Sequence, residues 1–240
     1  MALVKTLVLL AITVFLIIFL IPIGLPLFFL SFLGFRHFMS LMLYRYAQLW
    51  ARLVIVISGC SMTVTGRENI PKKGGVCFVS NHVGIFDIIL ALAYSGRAFG
   101  FIAKKELLYL PGINLWIFLL GGLFIDRRQP KKALKTINLG IKRIKTGGAM
   151  LIFPEGTRSK GKGLGPFLPG ALKLATQSEA LIVPMAINGS YEVYEKKLLV
   201  NAVPVSITYL PAVNPKDLPP EDRKALLAKK LHADIAAALA

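Results

Sequence analysis

The stretch NHVGIFDI, residues 81–88, places a histidine five positions before an aspartate, directly after the apolar run GGVCFVS. On one regular helix, side chains five residues apart point about 140° away from each other. His82 and Asp87 can therefore meet only if the histidine precedes the helix, with Gly84 supplying the turn. Asp87 would then accept the imidazole Nδ1–H and leave Nε2 free to take a proton from an alcohol. The alternative, a helix-capping aspartate beside an unrelated histidine, is slightly favoured by this stretch alone.

Two further segments are apolar strands that end in charged residues. LIFPEGTRS, residues 151–159, stops at a proline and continues with Glu155 and Arg158, whereas GGLFIDRR, residues 121–128, ends in an aspartate and two arginines, the first being Arg127. Exposed backbone N–H groups and a forked guanidinium at a strand end are suited to bind phosphate. Two such ends predict one anion pocket above the sheet edge. The alternative for the first segment is a proline–glycine turn with a surface arginine.

These residues require a sheet to position them, and the pattern of short apolar runs and amphipathic stretches predicts one. The runs that read as strands are 61–66, 75–80, 98–103, 122–126, 149–153, 181–187 and 203–209. The stretches that read as helices are 86–94, 105–119, 131–145, 169–178 and 221–238. This alternation favours an α/β domain with a largely buried sheet.

The N-terminal segment, residues 1–58, differs from the domain expected over residues 59–240. Residues 7–21 contain no charge, and the following PIGLP is expected to interrupt the helix before a second apolar stretch ends at Arg36. Basic residues lie on both sides, which favours a two-helix anchor that enters one leaflet from the cytoplasmic face over a kinked spanning helix. A cleavable signal peptide fits least, because no small-residue cleavage site follows. Residues 38–58 read as a continuing helix.

Composition restricts the partners. Lysine and arginine outnumber acidic residues 29 to 12, which gives a net charge of +17. A charge of this sign favours phospholipid headgroups, nucleic acid or an acidic carrier protein. The only two cysteines lie in apolar surroundings and indicate buried small side chains, so we expect no metal site and no cofactor.

Taken in chain order, these segments resemble the glycerolipid acyltransferase family, in particular the 1-acylglycerol-3-phosphate acyltransferases of the PlsC type. His82 through Asp87 resembles the family's first block, His-x-x-x-x-Asp. Residues 121–127, 153–159 and 183–184 resemble the family's second, third and fourth blocks. One departure is Gly84, where the family often has serine. The resemblance implies a mixed sheet flanked by helices.

The resemblance also implies a chemistry. His82 would act as general base on the 2-hydroxyl of lysophosphatidic acid, supported by Asp87, while the acyl group comes from acyl-CoA or an acyl carrier protein. Arg158 and Arg127 would bind the acceptor phosphate. Two further groups of candidates follow. Lys105 and Lys104 rank below the arginines for the same phosphate, and Glu155, Gly156 and Thr157 would orient the substrate. The implied location is the cytoplasmic face of the cell membrane.

An acyltransferase that acts on another lysophospholipid or on glycerol-3-phosphate is the alternative within the family. Three other classes of protein compete with this interpretation. A membrane-tethered nucleic-acid binder would explain the charge, but the chain has no motif of stacking aromatic residues, so we expect no nucleic-acid partner. A serine hydrolase would need a Gly-x-Ser-x-Gly elbow, which the sequence does not contain. A lipid-binding protein without catalysis would need neither His82 nor Asp87.

Overall fold

In the computed structural model, residues 2–30 and 36–240 are described, and their strands form one seven-stranded sheet. The strands are β1 (Ser61–Thr65), β2 (Val76–Ser80), β3 (Gly100–Lys104), β4 (Leu123–Ile125), β5 (Ala149–Ile152), β6 (Leu181–Asn188) and β7 (Pro204–Tyr209). Every predicted strand is present within two residues at each end. The strongly apolar runs made these strands predictable, because both faces of the central sheet are covered.

The sheet is mixed, as the resemblance implies. Its strand order is β1-β7-β6-β2-β5-β3-β4, and every neighbouring pair is parallel except β6 and β7. β2, β3, β4, β5 and β6 therefore run in the same direction and end at one edge. In open α/β sheets this carboxyl edge is where ligands bind.

Helices cover both faces of the sheet. They are α1 (Ala2–Leu30), α2 (Arg36–Ser58), α3 (Phe86–Tyr94), α4 (Ile113–Leu119), α5 (Pro130–Lys145), α6 (Lys173–Ser178), α7 (Ser190–Val193) and α8 (Arg223–Leu239). Side chains of α1 to α4 pack with Phe78 and Leu151 on one face. Side chains of α5, α6 and α8 pack with Cys77 and Met150 on the other. The alternation along β2 and β5 divides the core into these two layers.

The prediction of one helix over residues 105–119 is wrong. A 3-10 helix covers Lys105–Tyr109, and α4 begins only at Ile113. Pro111 lacks an N–H and disfavours helical backbone at the residue before it, and Gly112 adopts a positive φ of 80°. The two residues therefore separate one expected helix into two short ones.

The expected break at PIGLP is also wrong, since α1 continues through Pro22, Gly24 and Pro26 to Leu30. Each proline removes one backbone hydrogen bond at a cost of about 3 kcal/mol, while the apolar helix-forming residues on both sides keep the remaining bonds. Residues 31–35, which would connect the two helices of the expected anchor, lie outside the described residues. None of the described helices is long and apolar enough to cross a membrane.

The first turn of α1 is attached to two distant segments. Lys5 Nζ donates to the carbonyl oxygen of Ser58 at 3.3 Å, so the start of α1 lies beside the end of α2. Thr6 Oγ1 accepts the backbone N–H of Val200 at 2.8 Å. The two helices therefore form an antiparallel pair whose first and last residues lie together.

α2 is the helix expected over 38–58, and it is part of the main core. Its buried side chains recur every three or four residues, at Tyr44, Ala47, Ala51 and Val54, and they belong to the same cluster as Phe78 in β2. The expected division between residues 58 and 59 falls between α2 and β1, and it stays a prediction.

Two leucines of α8 test the layer that this helix builds. Leu231 is 0% exposed in the core beneath the sheet, whereas Leu226 is 39% exposed. Leu231→Ala should lower the free energy of unfolding by about 2–5 kcal/mol, because it removes apolar contacts and leaves a cavity. Leu226→Ala should change it by about 0.5 kcal/mol or less. Urea unfolding in detergent measures both values, and equal losses would contradict this packing.

Candidate active site

The contact expected between His82 and Asp87 is present at the carboxyl end of β2. His82 Nδ1 lies 2.6 Å from Asp87 Oδ2, and the same oxygen accepts the backbone N–H groups of Val83 at 2.7 Å and Gly84 at 3.0 Å. Asp87 Oδ1 accepts the hydroxyl of Ser190 at 2.5 Å. α3 begins at Phe86, so Asp87 occupies its first turn and the histidine precedes the helix.

With Asp87 as a carboxylate, these four contacts select the tautomer of the neutral His82 ring. A charged carboxylate offers about four acceptor positions and donates nothing, and here Asp87 is fully buried with four groups around it. His82 Nδ1 must therefore carry the proton, which leaves Nε2 on the opposite side of the ring as the acceptor. The ring also stacks on Phe153, with centroids 3.9 Å apart and planes 15° apart. The histidine side chain is 20% exposed, so its free edge is accessible.

Neighbouring strand ends hold the loop in place. The Asn81 side chain donates to the carbonyl oxygen of Ile187 and accepts its N–H, both at 2.8 Å, so it extends the pairing of β2 with β6. Glu155, after β5, accepts the backbone N–H of His82 at 2.6 Å and that of Gly165 at 2.9 Å. Both carboxylate oxygens of Glu155 therefore hold neighbouring backbone, and its expected role in orienting the substrate stays a prediction.

The segment 151–159 places Arg158 at the same edge of the sheet. There Arg158 contacts a carboxylate, Glu195, that the sequence analysis did not select. Arg158 Nη1 donates to Glu195 Oε1 at 2.5 Å, and Glu195 Oε2 accepts the backbone N–H of Ile85 at 2.5 Å. The 155–159 loop is also joined to the histidine loop by its backbone, because the N–H of Ser159 donates to the carbonyl oxygen of His82 at 2.7 Å.

The remaining phosphate candidates divide into two groups. Arg127 reaches the 155–159 loop, where Nη1 donates to the carbonyl oxygen of Gly156. Lys105, after β3, donates to Asp126, after β4, at 2.9 Å, so it also lies at the carboxyl edge. Lys104 instead pairs with Glu106 at 3.3 Å, with both side chains more than half exposed. The structure therefore joins Arg127 directly to the Arg158 loop and sets Lys104 apart.

The two small residues of the orienting group have different environments. Gly156 has a positive φ of 74°, and its N–H donates to the carbonyl oxygen of Phe153 at 3.1 Å. This N–H is therefore occupied by the protein's own backbone. Thr157 is exposed at the surface of the loop.

Ser190 contacts Asp87 and Phe153 stacks on His82, and the sequence analysis selected neither residue. Ser190 follows β6, and the strand-end pattern that selected Arg158 would have selected it too. The strand before it, however, consists almost entirely of apolar residues, and the family block there ends at Pro184. Phe153 is the last residue of the apolar run before Pro154, so no local signal separates it from a core residue.

A groove of about 410 Å³ opens beside the histidine loop, and its lining includes Val83, Gly161, Tyr191 and Ser206. Within residues 2–30 and 36–240, no group of three or more His, Cys, Asp or Glu side chains is arranged to hold a metal ion.

Comparison with known proteins identifies the family of this chain. A family profile described as acyltransferase matches residues 61–188, which is more than half of the chain and contains His82, Asp87 and Arg158. The chain belongs to the acyltransferase family. Ser190 and Glu195 lie beyond the matched residues, although both contact residues within them.

The relatives of this chain share one name. A 1-acyl-sn-glycerol-3-phosphate acyltransferase of Borreliella burgdorferi is 30% identical over 151 residues, covering 63% of this chain and 60% of the relative. One from Limnanthes douglasii is 32% identical over 174 residues, covering 72% and 61%. The chain thus spans about three fifths of the length of these relatives. The crystal structure of PlsC, the 1-acyl-sn-glycerophosphate acyltransferase of Thermotoga maritima, superposes with a TM-score of 0.84 at 27% identity, covering 99% of this chain and 94% of that one.

Glu155 makes the stability of the protein depend on pH. Burial raises its pKa above the ordinary 4.5, opposed by hydrogen bonds from the N–H groups of His82 and Gly165. Because the folded state then holds the proton more tightly than the unfolded chain, this contribution to stability is lost as the pH rises through the folded pKa.

Glu155→Gln removes the titration. The free energy of unfolding of the variant minus that of the wild type should therefore increase as the pH is raised from below 4.5 toward neutrality. Urea unfolding at a series of pH values measures this difference. A difference that stays constant or decreases over the range would contradict the expected direction.

Proposed function

We propose that this protein transfers an acyl group from an acyl thioester to the 2-hydroxyl of 1-acylglycerol-3-phosphate, and so forms phosphatidic acid. The observation that carries the proposal is the contact of 2.6 Å between His82 Nδ1 and the fully buried Asp87 Oδ2, because it leaves Nε2 as a base at an accessible edge. The names of the relatives from Borreliella and Limnanthes and of the Thermotoga structure support the acceptor.

The proposed reaction needs one base and no covalent acyl-enzyme. His82 Nε2 takes the proton of the acceptor hydroxyl while the hydroxyl oxygen attacks the thioester carbonyl carbon. The new C–O bond forms, and the tetrahedral intermediate then breaks its C–S bond. The departing sulfur keeps the electron pair and takes the proton from the His82 imidazolium. Asp87 stabilises that imidazolium throughout, and the products are phosphatidic acid and a free thiol.

The acceptor phosphate is assigned to the cations at the carboxyl edge. A guanidinium has five N–H donors in a planar fork, and Arg158 uses Nη1 for Glu195, so further donors are available to bind phosphate oxygens. Arg127 contacts the same loop through Gly156, and Lys105 lies at the end of the next strand. Lys104, in an exposed pair, ranks below them. Thr157 and Gly156 complete the loop that the acceptor would meet.

The acyl donor belongs to the thioesters, as acyl-CoA or as acyl carrier protein. Both donors carry anionic groups, and the chain has a net charge of +17, so either is attracted to its surface. The reaction proposed for His82 is the same for both, because only the thioester carbonyl takes part.

We also propose that α1 and α2 attach the protein to one leaflet at the cytoplasmic face of the cell membrane. Residues 1–58 contain no aspartate or glutamate. Along α1, exposed apolar side chains follow one another at helical spacing, at Leu3, Leu7, Leu10, Val14 and Ile18. Exposed Leu49, Leu53 and Val56 form a similar row on α2. Such rows bury apolar area when they enter the acyl layer of a membrane.

Replacement of the dyad tests the reaction. His82→Ala should lower acyl transfer by about 10²–10⁴-fold, because it removes the general base, and Asp87→Asn should also be severe, because an amide permits the wrong imidazole tautomer. The measurement is formation of phosphatidic acid and free thiol from lysophosphatidic acid and oleoyl-CoA in detergent. His232→Ala, a histidine on α8 that packs against Phe167, is the matched control and should keep wild-type turnover. Near-normal turnover in folded His82→Ala would exclude the base.

Cysteine labelling tests the membrane arrangement. Because the start of α1 lies beside the end of α2, cysteines at positions 2 and 60 should be modified from the same side of sealed vesicles. Position 60 is already cysteine, and Ala2→Cys combined with Cys60→Ser reports the other position. Cys77 does not interfere, since it is buried and burial raises the pKa of its thiol. Labelling from opposite sides in inverted and right-side-out vesicles would exclude the one-leaflet attachment.

A further inference from the structure

Glu195 lies just after α7, beyond the residues that the family profile matches, and it contacts two parts of the site. One carboxylate oxygen accepts Arg158 Nη1 and the other accepts the backbone N–H of Ile85, each at 2.5 Å. The side chain is only 12% exposed, whereas that of Arg158 is 37% exposed. Glu195 is therefore the more enclosed partner, held from two sides.

The histidine loop leaves a space that this carboxylate fills. A Cβ atom placed on Gly84 would lie 2.5 Å from Glu195 Oε2 and 3.1 Å from the Cα atom of Tyr191. Real Cβ contacts at 2.5 Å do not occur, so any side chain at position 84 would displace the carboxylate. The glycine and the glutamate therefore fit together, although 111 positions separate them in the sequence.

We propose that Glu195 is a positioning residue that ties Arg158 to the loop carrying His82 and Asp87. The inference rests on the function proposed above and adds a determinant of acceptor recognition to it. Arginine has a long, flexible side chain, and an anchored guanidinium presents its remaining N–H groups in one orientation. Through Ile85, the same carboxylate sets the distance between the bound phosphate and the base.

The opposite role would be competition, in which Glu195 neutralises Arg158 and must be displaced by phosphate. The contacts favour positioning. Only one nitrogen of the guanidinium is engaged by Glu195, and the bond to the Ile85 N–H keeps the carboxylate in place independently of Arg158. The two roles predict opposite changes in the KM for the acceptor.

The first experiment measures kcat and KM for lysophosphatidic acid at saturating oleoyl-CoA. Glu195→Gln keeps the shape of the side chain, but its NH2 group faces one of the two donors, so the KM should rise on the order of tenfold with a smaller change in kcat. Glu195→Asp keeps the charge on a shorter side chain and should also raise the KM. Glu192→Gln is the matched control, because Glu192 is an exposed residue of α7 paired with Lys196, and it should behave as wild type.

A double-mutant cycle with Arg158→Ala identifies the route of the effect. If Glu195 acts through Arg158, Glu195→Gln should change the KM less than about twofold in the Arg158→Ala background. A full tenfold effect in that background would overturn the proposal. A lower KM in Glu195→Gln alone would also overturn it, in favour of competition. A wild-type KM in Glu195→Asp would overturn it as well, because the charge alone would then be sufficient.

A second cycle tests the fit with the glycine. Gly84→Ala should lower the melting temperature and the activity more in the wild type than in Glu195→Ala, where the carboxylate is absent. Equal losses in both backgrounds would contradict the fit. Wild-type protein that makes no phosphatidic acid would remove the proposed function and this inference together. Active wild type with Glu195→Gln indistinguishable from Glu192→Gln would remove the inference alone.

Discussion

The carboxylate of Asp87 is the group on which the rest of the site depends. It is fully buried, and an uncompensated buried charge costs several kcal/mol. Its compensation comes from four donors that belong to His82, the loop after it and Ser190. The loop conformation, the orientation of the ring and the position of α7 are therefore all consequences of solvating one charge with protein groups.

The direction of the strands explains why so few residues suffice. Five strands end at the same edge, and contacts join their ends: Asn81 with Ile187, Glu155 with His82, and Lys105 with Asp126. Each contact satisfies polar groups that a strand end would otherwise leave exposed or unpaired. Hydrogen bonds therefore connect neighbouring strand ends along this edge. The His82–Asp87 pair is held by these contacts, and no long loop is needed to position it.

Sequence reasoning reached the parts of this structure that local patterns encode. The strands were predictable because apolar runs of four to eight residues between turn residues have few other uses, and the turn at Gly84 allowed the contact between His82 and Asp87 to be expected. Glu195 was not predictable, because it is one glutamate in an ordinary charged segment, and its partners Arg158 and Ile85 are 37 and 110 residues away. The continuity of α1 was missed for a different reason: proline carries a fixed local penalty, and a long apolar helix can absorb it.

The hydrogen bond between Thr6 and the N–H of Val200 has a consequence for the order of events during synthesis. The two residues are separated by 194 positions. At about 5–20 residues per second, a ribosome needs roughly 10–40 s to add that much chain. Throughout this interval the first turn of α1 has been synthesised, while the segment that receives it has not. The helix α1 is therefore complete long before the chain segment around Val200, which it contacts in the folded protein.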